Sequence, residues 1–267
     1  MPIVNARMYS VTAECKADWH RVLGWALAQA DLDWPLIDHD APAPLAQLWA
    51  RDDLGAAMMC GLPFAQHESR PTLIAAPLPS APRYGGRPVY CTDIVVAAAS
   101  PQRTIEDTFG GIVGYTLADS MSGAVALRDH LLPLREKHRT RLYRAAVGGL
   151  INARGVIDAL AAGRIDVGPL DSYSHDLLKH YDLALAAQVR TIASTAMRPI
   201  PPLVATAPIA ANALARLRGA LLGTRHASEL AATMARLQLA GFAVADRAGY
   251  DVLAAIADAS TLAFEDL

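Results

Sequence analysis

Gly110-Gly111-Ile112-Val113-Gly114-Tyr115-Thr116-Leu117-Ala118-Asp119-Ser120-Met121-Ser122-Gly123-Ala124 is the stretch on which the reading of this chain turns. Residues 111–115 form a short apolar run of strand type, the run ends near Leu117, and a helix is expected from Ser122 to about His138. Ser-x-Ser-Gly at that junction gathers two hydroxyls and several backbone N–H groups around one point. The first amides of a helix have no acceptor within it, and the macrodipole adds partial positive charge there. A helix start of this kind holds a phosphate, phosphonate, sulfate or carboxylate without a cationic side chain. The same residues are also compatible with a serine N-cap that serves only its own helix.

Working outward, the chain alternates strands and helices. On the N-terminal side come an apolar run at 3–8, a helix over 13–30 with Trp19, Val22, Leu23, Ala26 and Leu27 on one face, and a buried strand over 54–60. Residues 71–88 hold five prolines and two glycines and read as a loop; residues 89–99 then read as one long extended segment. On the C-terminal side, 142–147, 151–162 and 165–170 form a β-α-β unit, and 190–194 and 203–205 flank the break Pro199-Ile200-Pro201-Pro202. From about Pro208 onward the pattern is helical, with Gly241 at a helix C-cap position. The expected class is α/β. The expected organisation is two lobes, 1–94 plus 196–267 and an inserted 95–195, joined by two extended hinge crossings.

Composition narrows the function classes. The 267 residues are 53% hydrophobic and 19% charged, enough to bury a core. A net charge of −2 and a pI near 6.4 argue against nucleic acid or an acidic membrane as partner. Cys15, Cys60 and Cys91 have no metal or disulfide spacing, and the eight histidines form no set, so neither a metal nor a cofactor is expected. No GxSxG, HExxH, Walker A or GxGxxG occurs, and no catalytic residues are assigned. No apolar run is long enough to span a bilayer. The start, Met1-Pro2-Ile3-Val4-Asn5-Ala6-Arg7, lacks the pattern of a signal peptide. The expected location is cytoplasmic as the sequence stands, or periplasmic for a mature or truncated form.

Several stretches, in order, resemble the phosphonate and phosphate-type substrate-binding proteins of ABC transporters. They are 53–64, the segment Tyr90 to Ala97 followed by Thr104-Ile105-Glu106-Asp107, Asp119-Ser120-Met121-Ser122-Gly123, the run 161–173 ending Leu170-Asp171-Ser172-Tyr173, and 194–204. The resemblance implies a two-lobed type 2 periplasmic-binding-protein-like fold. It also implies a function: closing around a small anionic ligand, with a membrane permease as partner. Ser120, Ser122 and the amides of Met121 and Gly123 would hold the anion. Asp171 would accept from an amine or hydroxyl of the ligand, although its position equally suits an N-cap. Tyr90, Tyr9, Ser10 and Gly61 would complete the site. Where the family has Gly-Ser-His, this chain reads Gly148-Gly149-Leu150-Ile151-Asn152-Ala153-Arg154, so Asn152 or Arg154 stands in place of the family's ligand histidine. An enzyme on the same fold, as in pyrimidine or cofactor biosynthesis, and a cytoplasmic ligand sensor are the alternatives.

Overall fold

In the computed structural model, residues 1–69 and 71–267 are described. The strands are β1 (Ile3–Asn5), β2 (Leu54–Met58), β3 (Thr72–Pro79), β4 (Val89–Tyr90), β5 (Thr92–Ala97), β6 (Ile112–Gly114), β7 (Ala145–Val147), β8 (Gly168–Asp171), β9 (Val189–Ser194), β10 (Arg198–Pro199), β11 (Leu203–Ala205) and β12 (Leu239–Ala243). The helices are α1 (Ala13–Gln29), α2 (Leu45–Trp49), α3 (Gly61–Gln66), α4 (Ala126–His138), α5 (Ala153–Ala161), α6 (Ser172–Tyr181), α7 (Leu183–Ala186), α8 (Ala211–Gly223), α9 (Ala231–Arg236) and α10 (Ala248–Ala259). They form two compact units, Met1–Val89 with Pro199–Tyr250, and Tyr90–Arg198 with Asp251–Leu267.

The first unit is built on a five-stranded sheet in the order β1-β2-β11-β3-β12. Only β1 and β2 run parallel; the other three pairings are antiparallel. Every residue of β2 is buried, as its unbroken apolar run requires of a strand covered on both faces. Helix α1 is capped by Thr12, whose hydroxyl accepts from the Cys15 amide at 3.2 Å, and it buries Trp19, Val22, Leu23, Ala26 and Leu27 as its periodicity demands. Trp19 meets Phe242 of β12 edge-on, the ring centroids 6.4 Å apart. Burial raises the Cys15 thiol to about 12, which makes it an inert core group.

Two expectations fail in this unit. Residues 71–88 are not a loop throughout, because Thr72–Pro79 is β3. Its first half pairs with β11 and its second half, which carries Pro77 and Pro79, pairs with β12. The two prolines therefore lie beyond the segment bonded to β11, where a missing N–H breaks no second ladder. The C-terminal part is not all helical either. Helix α9 stops at Arg236, and Gly241 lies inside β12 at φ 144°, a conformation that suits glycine, rather than capping a helix.

The second unit holds an antiparallel sheet in the order β8-β5-β9 and a parallel pair, β6 with β7. The segment 89–99 is broken at Cys91, and its longer part, β5, is the central strand of that sheet rather than a crossing. The chain passes between units at 89/90 and 198/199, not at 94/95 and 195/196, and again at 250/251. Residues 251–267, expected with the first lobe, belong to the second. Phe264 stacks on Tyr115 at 4.5 Å, Phe264 and Leu267 enter the core with Ile94, Val113, Leu127 and Val167, and the Leu142 amide donates to the Leu267 carbonyl at 2.6 Å. The tail's aromatic and aliphatic groups thereby fill a face that the inserted segment leaves uncovered.

Candidate functional site

Strand β6 ends at Gly114, and the chain turns through Thr116 and Leu117 into Ser120, which is extended and caps the turn that begins at Met121. The Ser120 hydroxyl accepts from the Gly123 amide at 3.1 Å, and the Ser120 carbonyl accepts from both Ala124 and Val125, at 3.0 and 3.1 Å. That shared carbonyl opens a wide π-type turn over Met121–Val125 before α4 begins. The Gly123 amide, expected to face an anion, thus serves the cap. The Met121 and Ser122 amides, first in the turn, have no intrahelical acceptor. Capping uses one lone pair of Ser120 Oγ, and its own proton remains available to donate.

Ser122 is 9% exposed and sits at the junction of several elements. Its hydroxyl donates to Asp171 Oδ2 over a long 3.4 Å, and its carbonyl accepts from Thr92 Oγ1 at 2.8 Å. The other oxygen of Asp171 caps α6, accepting from the Tyr173 and Ser174 amides at 2.9 Å each. Cap and neighbour of the serine are therefore two roles of one carboxylate. Thr195 is tied to the same place: its Oγ1 accepts from the Thr92 amide at 3.0 Å.

These groups meet at a narrow crevice within the second unit, walled by Tyr90, Cys91, Thr92, Met121, Ser122, Ala126, Thr195 and Arg198. Of the expected residues, Ser122, Met121 and Tyr90 meet there, Asp171 bonds to Ser122, and Ser120 and Gly123 build the turn behind it. Asn152 is not in that wall. It caps α5 through Gly155, at 3.0 Å, and is exposed. Arg154 is also elsewhere, paired with Asp182 at 2.7 Å. In the first unit, Tyr9 is a core ring with 1% exposure, Ser10 Oγ donates to the Ala6 carbonyl at 2.6 Å, and Gly61 is the buried first residue of α3.

Thr92, Thr195 and Arg198 were missed. The threonines look like ordinary strand residues, but Arg198 carried a signal: it is the single charged residue between 191 and 215. A trio of two buried residues, His175 and Asp93, and the exposed Ser194 was missed as well. His175 Nδ1 lies 2.9 Å from Asp93 Oδ2, and Ser194 Oγ donates to Asp93 Oδ1 at 2.9 Å. The serine lies on the carboxylate, not on the imidazole, so the order is not that of nucleophile, base and orienting group. Among the described residues no cluster of three or more His, Cys, Asp or Glu could hold a metal, and no helix is long and apolar enough to cross a membrane.

Residues 42–250 match the family model described as the periplasmic substrate-binding protein of phosphonate ABC transporters. The chain belongs to this family. As a member it is a solute-binding protein of ABC-type uptake. A binding protein component of an ABC phosphonate transporter from Pseudomonas aeruginosa superposes with a TM-score of 0.80 at 15% identity, over 97% of this chain and 87% of its own. PhnD1 from Prochlorococcus marinus, in complex with methylphosphonate, gives 0.74 at 13% identity, over 97% of each chain. A Xanthomonas citri protein bound to ATP gives 0.65 at 18%, over 97% and 98%. At such identities the likeness concerns the fold, which is the two-lobed α/β type 2 periplasmic binding fold. No curated protein matches this chain.

Proposed function

We propose that this binding protein takes up a small phosphonate- or phosphate-type oxyanion at the start of α4. The observation that carries the reading is the convergence of Ser122, Thr92, Thr195 and the first amides of the turn on one crevice of the second unit. Fixed N–H and O–H dipoles there replace the hydration of the anion at little reorganisation, and each charge-assisted hydrogen bond contributes about 1.5–3 kcal/mol. Ser120 donates its free proton, Ser122 and the Met121 amide bind the oxygens, and Asp171 accepts from a protonated or hydroxyl group of the ligand. Ligand then passes to a membrane permease and its ATPase, and the place of work is the periplasmic side of the membrane.

Calorimetry against methylphosphonate, 2-aminoethylphosphonate, phosphate, sulfate and acetate tests the ligand class. A single site with preference for the phosphorus oxyanions is expected. Binding of acetate alone, or consumption of the bound compound, would overturn it.

A further inference from the structure

Among the described residues, Arg198 is the one cationic side chain in the crevice wall. Its guanidinium pairs with Asp129 of α4 at 3.1 Å, with the two side chains 23% and 35% exposed. A partly solvated ion pair of this kind is weak and exchanges partners readily. Pro199 follows directly and biases Arg198 towards extended backbone, in which β10 holds it. The helix start supplies only partial positive charge. A guanidinium supplies a whole charge and a planar fork that matches two oxygens of a phosphorus oxyanion.

We propose that Arg198 is a specificity-determining residue that swings from Asp129 to the bound oxyanion and selects the dianion over the monoanion. The inference rests on the ligand reading above and adds to it the charge state of the ligand and the group that reads it. Asp129 is then a competitor for the guanidinium: it holds Arg198 near the crevice before binding and is displaced during it. The cation that the 148–154 segment fails to bring to the crevice comes instead from β10.

The test is the affinity for methylphosphonate, by calorimetry, across the pH range of its second ionisation, for the unmodified protein, Arg198→Met, Arg198→Lys and Asp129→Asn. For the unmodified protein affinity rises as the dianion forms. Arg198→Met is expected to bind about ten to a hundred times more weakly at high pH and to lose most of that rise; Arg198→Lys recovers part of it. Asp129→Asn folds without the ion pair and binds several-fold more tightly. If the unmodified protein binds while Arg198→Met and Asp129→Asn keep its affinity and its pH profile, the role of Arg198 is overturned and the ligand reading stands. If the unmodified protein does not bind methylphosphonate or phosphate at all, the ligand reading is overturned and this inference with it.

Discussion

Two helix starts in the second unit are built to nearly the same plan. At one, Ser120 caps the turn through the Gly123 amide at 3.1 Å; at the other, Asn152 caps α5 through the Gly155 amide at 3.0 Å. Both hang from one strand end, since the Thr116 amide donates to the Gly123 carbonyl and the Thr116 carbonyl accepts from Gly149. Neither Gly123 nor Gly155 has room for a Cβ. Their surroundings differ. The first start is buried beside Thr92, Thr195, Asp171 and Arg198, whereas the second is exposed, preceded by Ile151 at φ 65° with 49% exposure. Capping chemistry makes a helix begin; burial with convergent polar groups is what turns a beginning into a binding site.

The largest effect is expected at the glycines. A Cβ on Gly123 would lie 1.7 Å from Thr116 Oγ1, and one on Gly155 would lie 2.0 Å from the Leu150 carbonyl oxygen. Each alanine variant should lose about 1–3 kcal/mol of stability in denaturant titration. Only Gly123→Ala should also lose affinity per folded molecule; equal losses of affinity would erase the distinction between the two starts.

Next come the polar side chains. Ser122→Ala should weaken methylphosphonate binding by about tenfold or more, the equivalent of one charge-assisted hydrogen bond. Asn152→Ala should leave binding alone and lower stability by about 1 kcal/mol, the usual worth of a cap. Calorimetry and thermal melts on the pair separate the two outcomes, and an affinity loss in Asn152→Ala would make the second start part of the site.

A smaller, signed effect is expected at Asp171. Asparagine retains an oxygen to accept from Tyr173 and Ser174, so α6 stays capped, but the charge near Ser122 disappears. Asp171→Asn should then tighten methylphosphonate and weaken 2-aminoethylphosphonate, whose ammonium group the carboxylate would accept from. Shifts of the same sign for both ligands would reduce Asp171 to a cap.

The smallest effect concerns His130, about one turn into α4. Burial holds its pKa below the ordinary histidine value. Folding therefore favours the neutral ring, so its contribution to stability is complete above about pH 6.5 and declines as the pH falls below it. Replacing His130 with glutamine should flatten that part of the stability–pH curve, leaving methylphosphonate affinity at neutral pH unchanged.

Much of this was readable from residue order. The face of α1, the strand β2, the alternation that makes an α/β chain and the Ser-x-Ser-Gly start all follow from local periodicity and capping chemistry, which neighbours along the chain determine. The failures share a cause. Pro77 and Pro79 read as loop residues because sequence does not say that pairing with β11 stops at Ala75, and Gly241 read as a helix C-cap because sequence does not show that β3 offers Leu239–Ala243 a ladder. The tail 251–267 read with the wrong lobe because only packing shows that Phe264 and Leu267 complete the second core.

The site divides along the same line. By itself the sequence determined that a helix starts at a pair of serines and a glycine, because a cap, a turn and a dipole need only adjacent residues. Tertiary structure alone decided that Thr92, Thr195 and Arg198 gather round that start, beside the expected Asp171, while Asn152 and Arg154 do not. Charge and burial act through space, and only the paths of β5, β8 and β10 set those distances.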